Sequence, residues 1–256
     1  MRFKQEPALI LQELGIDAPE EIDLELIAFT LNASVKRVSL AGCEGQIVGT
    51  HSRAIITINS NSDPRRQRFS LGHELGHWIN DRGKNLTYRC SDADMRQYTA
   101  NKADFTRQKE VRANAFSAKL LMPDYLFNRY HPEREISAET VNFLSNLFNV
   151  SRTSASIRLV ETSDRPCMIV CWSQTGRRKW FFRSSTVPES VWPHSMILRP
   201  SETFKETNAI EVDADQWVDS MGAEDYTFIE SQYYNGYDHL TLLWWKDESP
   251  LFSQHR

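Results

Sequence analysis

The sequence has no apolar window that approaches the length of a membrane span. Its opening residues, MRFKQEPALILQELG, carry neither a long apolar stretch nor a small-residue cleavage site, so neither a membrane protein nor a secreted one is expected. Cysteine is scarce: Cys43, Cys90, Cys167 and Cys171 are too few to form a disulfide framework in 256 residues. Free thiols point to a reducing compartment, and the cytoplasm is the expected location. No internal repeat and no low-complexity tract is visible. With 40% hydrophobic and 25% charged residues, disorder, collagen and coiled coil are excluded as well. A large excess of positive charge is also missing. The net charge of -4 argues against a protein that coats nucleic acid.

What is present is unevenly distributed. Residues 1–160 hold 21 Lys and Arg against 19 Asp and Glu, whereas residues 161–256 hold 9 against 15. Six of the seven tryptophans lie after residue 160, and the seventh is Trp78. More than one domain is therefore expected, in an α+β chain: a front domain over 1–125, a helix-turn-helix-like helical linker over 126–163, and a Trp-rich, mostly β rear domain over 164–256. In the front part, apolar periodicity predicts helices near 8–14 and 22–31, then short strands near 35–40, 46–49 and 54–58. Asp63 as N-cap and Pro64 as first residue open a helix expected to reach Asn80. The polar stretch 81–104 reads as irregular, and a second strong helix covers 105–122 before Pro123. From Pro166 the period changes to two, with strands expected near 167–172, 180–183, 227–233 and 240–245. Asn235-Gly236 supplies the turn of the last hairpin. Trp172, Trp180, Phe181, Phe182, Trp244 and Trp245 would form a heavy rear core.

The chemistry-bearing pattern is His73-Glu74-Leu75-Gly76-His77 inside the helix that starts at Pro64. Histidines four apart project from one helix face about one turn apart, close enough to share an ion. Glu74 is offset around the helix and would reach a water activated by the metal rather than the metal itself. A chance match of this pattern arises in about 1% of chains of such composition, so short motifs need support from elsewhere. A third ligand is required. Asp81 lies two turns from His73, too far to share an ion, and Gly83 stands where the extended metzincin pattern needs histidine. Glu110 in the second helix is better placed, and Asn114 shares its face, where an amide could orient a ligand. Spacing alone leaves Glu110 equally readable as a solvated carboxylate.

The block Arg68-Phe69-Ser70-Leu71-Gly72-His73-Glu74-Leu75-Gly76-His77 is followed by Glu110-Val111-Arg112-Ala113-Asn114-Ala115-Phe116-Ser117-Ala118-Lys119-Leu120-Leu121-Met122-Pro123. Together they closely resemble the ImmA/IrrE family of metallopeptidases, over about residues 20–125. The resemblance implies a zincin-like front domain, with His73, His77 and Glu110 as ligands of zinc (or manganese) and Glu74 as general base. It also implies a protein substrate, a partner helix-turn-helix repressor whose cleavage relieves repression of stress-response or mobile-element genes. The rear part, by layout, is similar to the small-molecule-sensing domains some members carry.

Further expectations concern the surroundings of that site. An oxyanion donor is needed, and Tyr88, Arg89, His51 and Arg112 are candidates. An extended substrate would pair with an edge strand, 46–49 or 54–58. Helices expected within 137–160 have helix-turn-helix proportions, and Arg152 and Arg158 are the basic side chains that could touch DNA or a partner. Two cations are a low density for DNA affinity, so a packing role is preferred. Cys43 or Cys90 could occupy an open metal position and silence a peptidase. The alternative function is a DNA- or ligand-binding regulator with a structural or inactive metal site.

Overall fold

The computed structural model describes residues 6–81, 86–96, 104–131, 136–219 and 223–247. The chain forms two compact units, residues 1–132 with 147–151, and residues 133–146 with 152–256.

The first unit contains α1 (Pro7–Glu13), α2 (Leu24–Thr30), β1 (Ala33–Val38), β2 (Gly45–Gly49), β3 (Ala54–Asn59), α3 (Pro64–Asp81), β4 (Leu86–Cys90), α4 (Phe105–Leu121) and α5 (Asp124–Tyr130). The three-turn helix expected from residue 22 is shorter. Asp23 starts it anew by accepting the Glu25 and Leu26 N–H groups, and only two turns follow. Asp63 performs the same task for α3, accepting from the Arg65 N–H at 2.9 Å.

The four strands run in the order β1-β3-β2-β4, with β1 parallel to β3 and the other pairs antiparallel. Segments 46–49 and 54–58 are therefore interior strands, with ladder bonds on both sides, and neither offers an edge to a peptide. This corrects the sequence expectation. The edges are β1 and β4; β4 lies inside the stretch expected to be irregular, and its polar Thr87-Tyr88-Arg89 centre hides a strand whose Leu86 and Cys90 are buried. Residues 82–85 and 97–103 of that stretch lie outside the described residues.

Ala54, Ile56 and Ile58 of β3 and Ile47 of β2 are buried in the core, and α3 packs on these strands. Trp78 is fully buried and satisfies its indole N–H on the Leu31 carbonyl at 2.8 Å. The closest helix pair is α3 with α4. A Cβ at Gly76 would stand 2.9 Å from Ala113 Cα, so glycine here sets the distance between the two helices. Gly76→Val is expected to overpack this contact at a cost of about 1–3 kcal/mol. That is roughly 2–4 °C of melting temperature per kcal/mol in a chain of this size. An unchanged thermal midpoint would show that the helices have room to part.

Residues 126–163 divide between the two units. α5 and the 147–151 turn belong to the first, while most of α6 (Ala138–Leu147) and all of α7 (Arg152–Glu161) belong to the second. The second unit continues with β5 (Cys167–Trp172), β6 (Arg178–Arg183), α8 (Pro200–Thr203), β7 (Thr207–Asp213), β8 (Thr227–Tyr234) and β9 (His239–Trp245). Its sheet is antiparallel throughout, in the order β6-β5-β9-β8-β7. β5 is buried along its whole length, so its sequence CMIVCW shows no alternation. The cause is cover on both faces: α7 packs against β5, and Met168, Val170 and Trp172 join a core with Trp217, Phe228 and Trp245. Gly236, at φ 98, forms the β8–β9 turn with Asn235, whose side chain accepts from the Tyr237 and Asp238 N–H groups. The strand β7 was not legible in the sequence. It lies at an edge, is mostly exposed, and is interrupted by a bulge near Ala209 at φ 58.

Candidate metal centre

Three elements of the first unit converge on one point. α3 supplies His73, Glu74 and His77, α4 supplies Glu110 and Asn114, and β4 supplies Tyr88 and Cys90. The His73 and His77 Nε2 atoms stand 3.0 Å apart, and Glu110 Oε2 is 3.2 Å from the first and 3.3 Å from the second. Cys90 Sγ is 3.5 Å from His77 Nε2. All four donor atoms lie within 4.8 Å of one another, and all four residues are buried.

Why should like atoms crowd together in the interior? The Asn114 amide answers for His73. Its Nδ2 donates to the Asp94 carbonyl at 3.0 Å, which fixes its orientation, and its Oδ1 lies 2.8 Å from His73 Nδ1. An oxygen there can only accept, so Nδ1 carries the hydrogen and Nε2 presents a lone pair. Glu110 Oε2 faces both Nε2 atoms. Polar atoms meeting at this distance in the interior are joined by a shared proton or by a cation. The protonation states agree. Burial holds His73 below its ordinary value, favouring the neutral ring. Burial pushes the Glu110 carboxyl up, but the two imidazoles outweigh it and hold the group at about 2. Metal ligation needs both forms. The residues present fit a divalent ion. Asn114→Ala is expected to weaken metal affinity about 10–100-fold, the usual cost of losing a partner that orients a ligating histidine. Chelator competition measures it, and unchanged affinity would remove Asn114 from the site.

Glu74 is fully buried, and the Cys90 thiol is the hydrogen-bonding neighbour of its carboxylate. Burial raises it to about 8; the neighbouring Cys90 thiol opposes this rise and the Glu110 charge adds to it. The β2 strand forms the wall behind it: a Cβ at Gly45 would stand 2.6 Å from Glu74 Oε1.

Of the four oxyanion candidates, only Tyr88 is brought to the site. Its ring stacks on His77 at 4.5 Å, and its hydroxyl receives Lys109 Nζ at 2.7 Å while donating to Asp81 Oδ2 at 3.0 Å. Arg89 is engaged elsewhere, on the Ala41 carbonyl and Cys43 Sγ. His51 and Arg112 are exposed. Cys43 is buried outside the donor cluster, whereas Cys90 is a member of it. The place of Cys90 depends on its non-local pairing with Gly45, which residue spacing does not reveal.

In the second unit, Arg158 is 2% exposed and paired to Glu161 at 2.7 Å. A buried, paired guanidinium has no access to phosphate or to a partner, which corrects the expectation for this residue. Arg152 lies half-buried with its guanidinium 4.1 Å over the Tyr233 ring.

The model of the IrrE N-terminal-like domain, a peptidase family, matches residues 30–160. Among curated relatives, the radiation response metalloprotease IrrE of Deinococcus radiodurans is 30% identical over 145 residues, 55% of this chain and 40% of the relative. Its counterpart in Deinococcus deserti is 33% identical over 116 residues, 44% of this chain and 38% of the relative. An uncharacterized immunity region protein 2 of Bacillus phage phi105 is 35% identical over 75 residues, 29% of this chain and 42% of the relative. The chain thus spans about two fifths of the length of the curated relatives it matches. A solved structure, a Mycobacterium tuberculosis transcriptional regulator, superposes with a TM-score of 0.55 at 12% identity. That match covers 93% of this chain and 85% of the other, a likeness of fold. With more than half of its length matched by the family model, and the cluster that could hold a metal assembled inside the matched residues, this chain belongs to the ImmA/IrrE family.

Proposed function

We propose that this chain is a zinc-dependent endopeptidase in which His73, His77 and Glu110 hold the ion and Glu74 is the general base. Its substrate is a helix-turn-helix repressor, and cutting it derepresses stress-response or mobile-element genes. The observation that carries this reading is the convergence of the His73, His77 and Glu110 donor atoms beside the buried Glu74 carboxylate. The relatives named as radiation response metalloproteases, and the one named for a phage immunity region, support the class of reaction and the regulatory setting. Imidazole and thiol donors suit zinc better than manganese, which favours oxygen.

A bound divalent ion supplies Lewis acidity for the scissile carbonyl and lowers the pKa of water. Glu74 takes the proton of the attacking water and delivers it to the leaving amine. As the oxyanion develops, the Tyr88 hydroxyl hydrogen turns from Asp81 Oδ2 to it, with the Lys109 ammonium beside it. Tyr88→Phe is expected to lower kcat about 10²–10³-fold with little change in metal content. A smaller loss would assign the donor elsewhere. The peptide lies along β4, which pairs on one side only, with β2, among the described residues.

The second unit is assigned a regulatory or docking role. No helix among the described residues is long and apolar enough to cross a membrane. Four buried cysteines that form no disulfide support a cytoplasmic setting. The test is incubation with the product of an adjacent repressor gene, with and without chelator. Discrete, chelator-sensitive fragments are expected; an intact repressor with metal-loaded protein of full catalytic competence overturns the reading. One observation favours a second reading, a structural metal site: Cys90 stands in the donor cluster.

A further inference from the structure

Cys90 is the one member of the donor cluster to which the mechanism gives no task. Its backbone is held firmly, with its carbonyl accepting the Glu44 N–H at 2.9 Å and its Cα in register with Gly45. The thiol is thus placed by the sheet ladder and not by a loose loop. Across the edges of a zinc tetrahedron, ligands at about 2.0–2.1 Å for nitrogen or oxygen and about 2.3 Å for sulfur stand roughly 3.3–3.6 Å apart. Four of the six edges, at 3.0, 3.2, 3.3 and 3.5 Å, lie near those values, and the other two, from Cys90 to His73 and to Glu110, are within 4.8 Å.

The geometry points to Cys90 as a fourth protein ligand that closes the metal site in the resting protein and must withdraw before a peptide can be cut. The inference rests on the metal-site reading above. A site with four protein ligands is closed, whereas a catalytic one keeps a position open. Binding breaks the S–H bond, the sulfur lone pair goes to the ion, and the proton leaves to solvent. No electron is transferred. Because β4 carries both this thiol and a free sheet edge, a peptide that adds to that edge engages the strand that holds the latch.

The test replaces the native ion by cobalt in the full chain. Wild-type protein is expected to show the intense near-ultraviolet charge-transfer absorption of a cobalt–thiolate bond. Cys43→Ser is expected to retain it and Cys90→Ser to lose it. Metal affinity should fall in Cys90→Ser by at least the about 10-fold that loss of an outer partner costs. Cadmium-113 NMR of the wild-type chain separates a one-sulfur site from an all-nitrogen-and-oxygen one, without depending on any variant folding. Cleavage by Cys90→Ala is expected to exceed wild type at least tenfold. An absent thiolate band together with a cadmium shift free of sulfur overturns the latch and leaves the peptidase reading standing. A thiolate band, with no cleavage by either wild type or Cys90→Ala, keeps the ligand and overturns the peptidase.

Discussion

Glu74→Gln is expected to keep its metal and lose its cleavage. The side chain is no ligand, so the cluster of His73, His77, Glu110 and Cys90 is untouched. The amide, isosteric with the carboxylate, cannot take a proton from water. General-base contributions run to about 10²–10⁴ in rate, so fragments should fall below detection in a gel assay. Persistent cleavage by this variant would end the proposed mechanism. The variant should also differ in stability. The folded Glu74 carboxyl is raised to about 8 from an ordinary 4.5, so between those values the folded chain binds a proton that the unfolded chain has released. In the metal-free protein its contribution is therefore fully present below about pH 4.5 and is lost as pH rises through 8. Glutamine has no such loss. Metal-free Glu74→Gln should melt with wild type at pH 4 and above it at pH 9, and coincident curves at pH 9 would mean that Glu74 is solvated.

Stripping the ion is the second large perturbation. Without it, only shared protons join the His73, His77 and Glu110 side chains, which meet at 3.0–3.3 Å between α3 and α4. An ion at 100 times its dissociation constant contributes about 2.7 kcal/mol. Chelation should then lower the melting temperature by roughly 5–10 °C, at about 2–4 °C per kcal/mol. Glu110 keeps the site ready to reload. Its folded carboxyl is held at about 2, so the ionised ligand persists until pH falls through that value, and the stability it brings is present above about 4.5. Differential scanning calorimetry with and without chelator decides the matter. An unmoved transition in protein that has demonstrably lost its metal would mean that the ion does not sit between these helices.

The parts of the site that lay in the sequence are those set by helical spacing. His73, Glu74 and His77 occupy one continuous helix, and Asp63-Pro64 marks its start, so their mutual geometry follows from residue numbers alone. Glu110 and Asn114 needed the family resemblance, because spacing cannot tell which face of α4 meets α3; the contact of Gly76 with Ala113 decides that. Cys90 and Tyr88 could be read only as candidates, Cys90 beside Cys43 and Tyr88 beside Arg89, His51 and Arg112. They arrive on an edge strand of mixed polarity, through a pairing with residues more than 40 positions away. The same difficulty misled the choice of sheet edge: 46–49 and 54–58 read clearly as strands, but strand order is a property of the whole sheet. In the second unit, heavy tryptophan content correctly indicated a large core, whereas the burial of β5 on both faces removed the alternation that was expected.

Gly45 ties the sheet to the chemistry in a further way. Its missing side chain is the space that Glu74 occupies, and its neighbours in sequence are Glu44 and Gln46. Slippage of β2 by one residue against β3 and β4 would bring one of those long polar side chains toward the carboxylate and displace it. It would also carry Cys90 out of line with the histidines, since Cys90 takes its position from the same ladder. Strand pairing in this protein therefore acts as proofreading: a chain folded one residue out of step would keep its helices and its HExxH motif yet be unable to move a proton.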